Sequence, residues 1–183
     1  MLIRPAIISD AEAIGRVHVQ AWQETYRGLM PDAYLDAMSA EERAKAWRER
    51  IPTFAERRQS LAVTLDESGE IVGFAGCGPP RQKELAADGE IYMINIVHRG
   101  KRRRLGTRLM LTMAEQLDAF GFTSAGLWVL AANAGARAFY DRLGGAPDVT
   151  LDHEHGGAVL MDIAILWPTA GLLKQRALEI LAR

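Results

Sequence analysis

The chain has 183 residues, 49% of them hydrophobic and 25% charged, which is the make-up of an ordinary globular domain and excludes a disordered or fibrous chain. Twenty-two Lys and Arg against 23 Asp and Glu leave a formal charge of -1, which argues against a wholesale nucleic-acid binder. The single cysteine, Cys77, makes no internal disulfide and fits a reducing compartment. No apolar run reaches the roughly 18 residues of a membrane span, and the N-terminus lacks the apolar stretch of a signal peptide. One cytoplasmic domain over residues 1–183 is therefore expected.

In chain order, Leu2-Ile3-Arg4 reads as a short strand ended by Pro5. Ser9 with Glu12 has the form of a capping box, and Ile14, Val17, Ala21 and Trp22 follow at helical spacing. Arg27-Gly28-Leu29-Met30-Pro31 breaks that pattern. A second box, Ser39 with Glu42, opens a helix carrying Ala40, Ala44, Trp47 and Ile51 on one side. Leu61–Leu65, the turn Asp66-Glu67-Ser68-Gly69 and Ile71–Ala75 predict a β-hairpin. Glu90 to Val97 predicts a strong strand. A basic loop with Gly100 and Gly106 then leads into an amphipathic helix carrying Leu105, Leu109, Met113, Leu117 and Phe120, stopped at Gly121. Leu127–Leu130 is the next strand. Asn133 caps a short helix with Ala136, Phe139, Tyr140 and Leu143 on one face, ended by Gly144-Gly145. Val159 to Leu166 predicts the last strand and Leu172 to Leu181 a terminal helix. The order β-α-α-β-β-β-α-β-α-β-α describes a mixed α/β domain around one sheet.

Six basic residues lie between Arg99 and Arg108, where a strand ends and a helix begins: Arg99, Lys101, Arg102, Arg103, Arg104 and Arg108. The first turn of a helix carries unpaired N–H groups and a partial positive charge, so it is a natural anion site. Gly106 lets a ligand approach the backbone, and the surrounding cations suit several phosphates. A merely solvated charged face and a nucleic-acid patch are the competing readings. No G-x-x-x-x-G-K-[ST] loop occurs, and Gly73, Gly76 and Gly78 have the wrong order for a dinucleotide fingerprint. Phosphate binding is the preferred reading.

Ile96-Val97-His98-Arg99-Gly100-Lys101-Arg102-Arg103-Arg104-Leu105-Gly106-Thr107-Arg108-Leu109-Met110 resembles motif A of the GCN5-related N-acetyltransferase (GNAT) superfamily. That motif is a strand, [QR]-x-x-G-x-[GA] and a helix, whose amides hold the pyrophosphate of acetyl-CoA. Aligned on Gly106, Lys101 takes the Gln/Arg position and Arg104 the first glycine. Both depart from the pattern, and Arg104 should either crowd the loop or turn outward and meet a phosphate. Leu127 to Gly145 is similar to motif B, N-x-x-A-x-x-F-Y-x-x-x-G, with Asn133, Ala136, Phe139, Tyr140 and Gly144 in register. Ile3-Arg4-Pro5-Ala6 with Asp10-Ala11, and Trp22-Gln23-Glu24-Thr25-Tyr26-Arg27-Gly28, also resemble family segments, so the likeness runs from residue 2 to 167.

The resemblance implies a mixed, mostly antiparallel sheet of six to seven strands flanked by helices and splayed after Val97 at an acetyl-CoA slot. It implies acetyl transfer to a primary amine of a small molecule or peptide, by direct attack in a ternary complex. A longer acyl donor and a catalytically weak CoA-binding regulatory module are the alternatives. Tyr140 matches the family's general acid, and a phenol near pKa 10 donates to a thiolate while staying protonated at neutral pH. Glu90 corresponds to the general base of one branch, with Asp88 nearby. The cofactor set is Ile96 and Val97 through their backbone, then Lys101, Arg102, Arg103, Arg104, Leu105, Gly106, Thr107 and Asn133. Trp22 and Tyr26, one helical turn apart, fall where the family places the acceptor pocket.

His153-Glu154-His155 invites a metal reading, but a metal site needs three or four ligands and only Asp152 flanks what reads as a loop. No metal is expected, nor a nucleic-acid or membrane partner. Leu173, Ala177, Ile180 and Leu181 of the terminal helix cover the core or pair with another subunit, dimers being common in the family. Motifs and charge do not name the acceptor.

Overall fold

The structure, a computed structural model, describes residues 2–101 and 103–183. Seven strands form one sheet in the order β1-β2-β3-β4-β5-β7-β6. They are β1 (Leu2–Pro5), β2 (Ser60–Leu65), β3 (Ile71–Gly78), β4 (Glu90–Ile96), β5 (Ala125–Leu130), β6 (Ala146–His155) and β7 (Ala158–Trp167). Every neighbouring pair is antiparallel except β4 and β5. The helices are α1 (Ala11–Tyr26), α2 (Asp32–Asp36), α3 (Ala40–Arg50), α4 (Leu105–Ala119), α5 (Ala134–Arg142) and α6 (Ala170–Leu181). The expected element order thus gains one strand, β6, and one short helix, α2.

Helix α4 buries Leu105, Leu109, Met113 and Leu117 at the expected helical spacing, which seats it against the sheet. Leu109, Met113 and Leu117 pack with Ile91, Leu127, Val129, Ile165 and Trp167. On the opposite face, Ile14, Val17 and Ala21 of α1 and Trp47 of α3 pack against Leu61, Val63 and Phe74. A third cluster joins Trp22, Tyr26, Met30, Tyr34 and Leu35 to Leu130 and Leu160, so the α1–α2 region covers the ends of β5 and β7.

Of two expected helix caps, one differs and one forms. The Ser9–Glu12 box does not start α1. Asp10 sits at the N-cap instead, and its carboxylate accepts from Ile7 N–H at 2.9 Å and pairs with Arg4 at 2.6 Å. At α3 the predicted cap does form, with Ser39 Oγ accepting from Glu42 N–H at 3.2 Å.

The larger difference lies between β4 and β5. Their one pair among the described residues is Glu90 opposite Gly126, so the strands part at the start of β4 and not after Val97. A bulge in β4 at Tyr92, between the Gly76–Met93 and Cys77–Ile91 pairs, adds local twist where the separation begins.

Candidate active site

The separation leaves one edge of β4 without a neighbour, and the β3–β4 register fixes which groups face it. Val97 N–H donates to Val72 C=O at 3.0 Å. Antiparallel pairs alternate between bonded and non-bonded, so Ile96 opposite Gly73 and Ile94 opposite Ala75 are non-bonded pairs. The N–H and C=O of Ile94 and Ile96 therefore point away from β3, into the gap. The backbone of Ile96, expected to contact the cofactor, thus faces the gap, whereas that of Val97, expected to do the same, is bonded within the protein. Val97 uses its N–H on Val72, and its C=O accepts from Gly100 N–H at 2.8 Å.

At the open end of the gap stands the N-terminus of α4. Arg108 N–H donates to Arg104 C=O at 3.0 Å, and among the described residues the N–H groups of Leu105, Gly106 and Thr107 in the first turn have no backbone acceptor. Arg104 caps the helix at φ 59°, ψ 11°. That is the left-handed region that glycine enters freely, which explains the glycine of the motif. Arg104 turns outward, and its Nη1 donates to Leu181 C=O at 3.1 Å. The Leu105 side chain is in the core, so only its backbone is available to a ligand. A Cβ on Gly106 would lie 3.1 Å from the Phe139 ring, so the glycine is also a packing requirement. Lys101 and Arg103 are exposed, Arg99 is held by Glu70 at 2.6 Å, and Arg102 lies outside the described residues.

A cleft of about 390 Å³ adjoins this turn, lined by Thr107, Phe139, Arg142, then Arg176 and Glu179 of α6 and Arg183 just beyond it, among others. These three arginines were not singled out from the sequence. They are scattered over 42 positions and come together only because α6 packs on α4. Asn133 Oδ1 accepts from Ala136 N–H at 3.1 Å, which makes its carbonyl oxygen a helix cap.

Tyr140 is buried, with its ring edge-on to Trp167 at 6.2 Å. Burial, and then the neighbouring Tyr26, push its hydroxyl well above the usual phenol range, so it stays a proton donor. Burial and then the Asp162 charge raise Tyr26 as well. Trp22 and Tyr26 stack edge-on at 5.1 Å, and Tyr34 meets Trp22 at 6.3 Å. Below this aromatic group, Asp162 of β7 is buried opposite Leu130 of β5.

Glu90 and Asp88 are both engaged. Glu90 is fully buried. Its Oε2 accepts from Arg81 N–H at 2.7 Å, and its Oε1 from Arg81 Nη2 at 2.6 Å and Nε at 3.1 Å. Both oxygens being taken, a free general base at Glu90 is not what the geometry offers. Asp88 accepts from the backbone and hydroxyls of Thr123 and Ser124. Burial opposes ionisation of Asp88, but these donors outweigh it and hold the carboxyl well below the usual range. Cys77 is buried, which pushes its thiol up to about 12, so it is no nucleophile.

The segment His153–His155 is part of strand β6 and not of a loop, and its third polar partner is not Asp152. His153 Nδ1 and His155 Nε2 lie 2.8 and 3.0 Å from Asp162 Oδ2, across the β6–β7 hairpin.

The family model described as the acetyltransferase (GNAT) family matches residues 19–145. An uncharacterized N-acetyltransferase of Bacillus subtilis (strain 168), YuaI, is 30% identical over 172 residues, 94% of this chain and 95% of that protein. PaiA N-acetyltransferase from Thermoplasma acidophilum, solved with coenzyme A, superposes with a TM-score of 0.72 at 17% identity, covering 91% of this chain and 98% of that one. A ribosomal-protein-alanine N-acetyltransferase from Brucella melitensis gives 0.70 at 19% identity, covering 91% and 99%. A phosphinothricin acetyltransferase from Sinorhizobium meliloti, solved with acetyl-CoA, gives 0.67 at 20% identity, covering 92% and 88%. With two-thirds of its length matched by one family model and a relative aligned almost end to end, this chain belongs to the GNAT family of acetyltransferases.

Proposed function

We propose that this acetyltransferase takes its acetyl group from acetyl-CoA and delivers it to a primary amine of a small molecule or peptide, in the cytoplasm and within one domain. The observation that carries this reading is the open edge of β4. There the backbone groups of Ile94 and Ile96 face a gap that ends at the first-turn N–H groups of Leu105, Gly106 and Thr107, which have no backbone acceptor among the described residues. An extended chain with alternating amides fits the edge, and a pyrophosphate fits the helix N-terminus. Lys101, Arg103 and the cleft arginines Arg142, Arg176 and Arg183 supply charge for further phosphates.

In the reaction, the neutral amine attacks the thioester carbonyl carbon, and the C–S bond breaks as the tetrahedral intermediate collapses. Tyr140 protonates the departing thiolate, its raised hydroxyl keeping the proton until then. The proton lost by the amine leaves through water, because Glu90 is held by Arg81. Trp22 and Tyr26 form the wall against which the acceptor lies.

A thermal scan with and without acetyl-CoA tests the cofactor. Ligand at a hundred times its dissociation constant stabilises by about 2.7 kcal/mol and raises Tm by a few degrees. Thiol release over a panel of primary amines then tests the transfer. A shift without turnover on any amine would instead support a CoA-binding regulatory module, and no shift would refute the cofactor.

A further inference from the structure

We infer that His153, His155 and Asp162 form a binding site for a divalent transition-metal ion of the zinc class. Side chains alternate along a strand, so His153 and His155 share one face of β6. The hairpin register sets Leu151 opposite Asp162 and His153 opposite Leu160, which brings Asp162 onto that same face.

Three donor atoms converge there: His153 Nδ1, His155 Nε2 and a carboxylate oxygen of Asp162 all lie within 4.8 Å of one another. Two imidazole nitrogens and one carboxylate oxygen suit zinc and its neighbours, and three protein ligands leave a fourth position open. Asp162 is buried and both histidines are about three-quarters covered. The two nitrogens lie 2.8 and 3.0 Å from Asp162 Oδ2, and small shifts bring the three donors to the roughly 3.3 Å spacing around a tetrahedral ion with bonds of about 2.0 Å.

A second layer supports the first. Gln82, reaching over from the β3–β4 loop, places its amide 2.9 Å from His153 Nε2, the nitrogen that faces away from the cluster. Its Oε1 is buried with no partner among the described residues. Amide oxygen and nitrogen exchange by a half-turn of the terminal bond. With Oε1 toward His153, the amide accepts from Nε2–H and leaves the Nδ1 lone pair aimed at the ion, the arrangement that fixes a ligating histidine. Trp128 also packs edge-on against the His153 ring at 5.6 Å. The rival arrangement is two neutral imidazoles donating to one shared oxygen, which takes up no ion.

The inference stands apart from the acetyl-transfer reading, because its test needs neither cofactor nor acceptor. Full-length protein, stripped with chelator and dialysed, is titrated with zinc chloride in a calorimeter. The expected result is one ion per chain, with a cobalt(II) derivative showing the intense visible bands of a four-coordinate site. His155→Ala and Asp162→Asn should each weaken zinc binding by more than about tenfold, and Gln82→Ala by about tenfold or more through loss of ring orientation. Metal-free Tm values of the variants, taken in parallel, identify any that fail to fold. Gln82→Ala touches no ligand atom and keeps the comparison usable if the others do. Absence of uptake by the wild type would overturn the site, as would uptake that all three variants leave unchanged.

Discussion

Arg81 holds Glu90 with its backbone and its guanidinium at once, beside the Glu90–Gly126 pair from which the sheet opens. The buried carboxylate therefore pins the closed end of the gap. Arg81→Ala removes the side-chain bonds to a charge that stays buried, and should cost about 1–3 kcal/mol of stability. Chemical denaturation measures this, and adding Glu90→Gln to Arg81→Ala should recover part of the loss. If Glu90→Gln alone abolished turnover without lowering stability, the carboxylate would be catalytic after all.

Tyr140→Phe keeps the ring against Trp167 and removes the hydroxyl. Turnover should fall by about 10²-fold or more, the usual scale for a lost general acid, while the acetyl-CoA-induced Tm shift stays as in wild type. Unchanged turnover would move the proton donor elsewhere.

His18 is buried between Trp22, Trp47 and Phe74, and neither ring nitrogen has a hydrogen-bond partner among the described residues. Burial, then the charges of Arg43 and Arg50, lower its pKa to about 4. The unfolded chain takes up this proton near pH 6.5, whereas the folded chain resists it. Stability is therefore full above about 6.5 and is lost as pH falls toward 4, by at most about 3 kcal/mol. His18→Phe keeps the stacking and should flatten that limb of a Tm-against-pH curve. An unchanged slope would assign the loss between about pH 6.5 and 4 to another group.

Arg104 bears a side chain where the backbone is left-handed. Arg104→Gly relieves that conformation and should leave stability equal or up to about 1 kcal/mol higher. Arg104→Val, β-branched, should fall below wild type by about 1–2 kcal/mol. Equal stability of the two variants in denaturant would mean that the loop has re-formed around another conformation.

What was legible in the sequence followed from local periodicity. The α4 stripe, the Ser39 cap and the Asn133 cap could be read because each depends on residues within two turns of one another. Motif register placed Gly106 in the first turn of α4, where it packs against Phe139, and Tyr140 on α5, where its ring meets Trp167. Strand β6 was missed because its residues are mostly exposed and polar, with Pro147, Asp148 and Asp152 breaking any apolar alternation. The same blindness hid the histidine cluster. A HxH pair signals nothing until a strand puts both rings on one face and a partner strand supplies Asp162. Glu90 failed for another reason: Arg81 reaches it from a loop whose path no pattern announces. Ser9 does not cap α1 because it lies inside the 3-10 turn Ile8–Asp10 that runs straight into the helix, with the Asp10 carboxylate held by Ile7 N–H and Arg4.

The parting of β4 from β5 bears on how the free protein moves. The amides of Ile94 and Ile96 have no carbonyl waiting across the gap, so they should exchange with solvent far faster than those of Asn95 and Val97 on the same stretch of chain. A bound pantetheine arm would supply the missing partners and stand in for a strand that the polypeptide never makes. The two halves of the sheet would then be coupled by hydrogen bonds through the ligand, and would exchange and unfold as one cooperative unit only while it is bound.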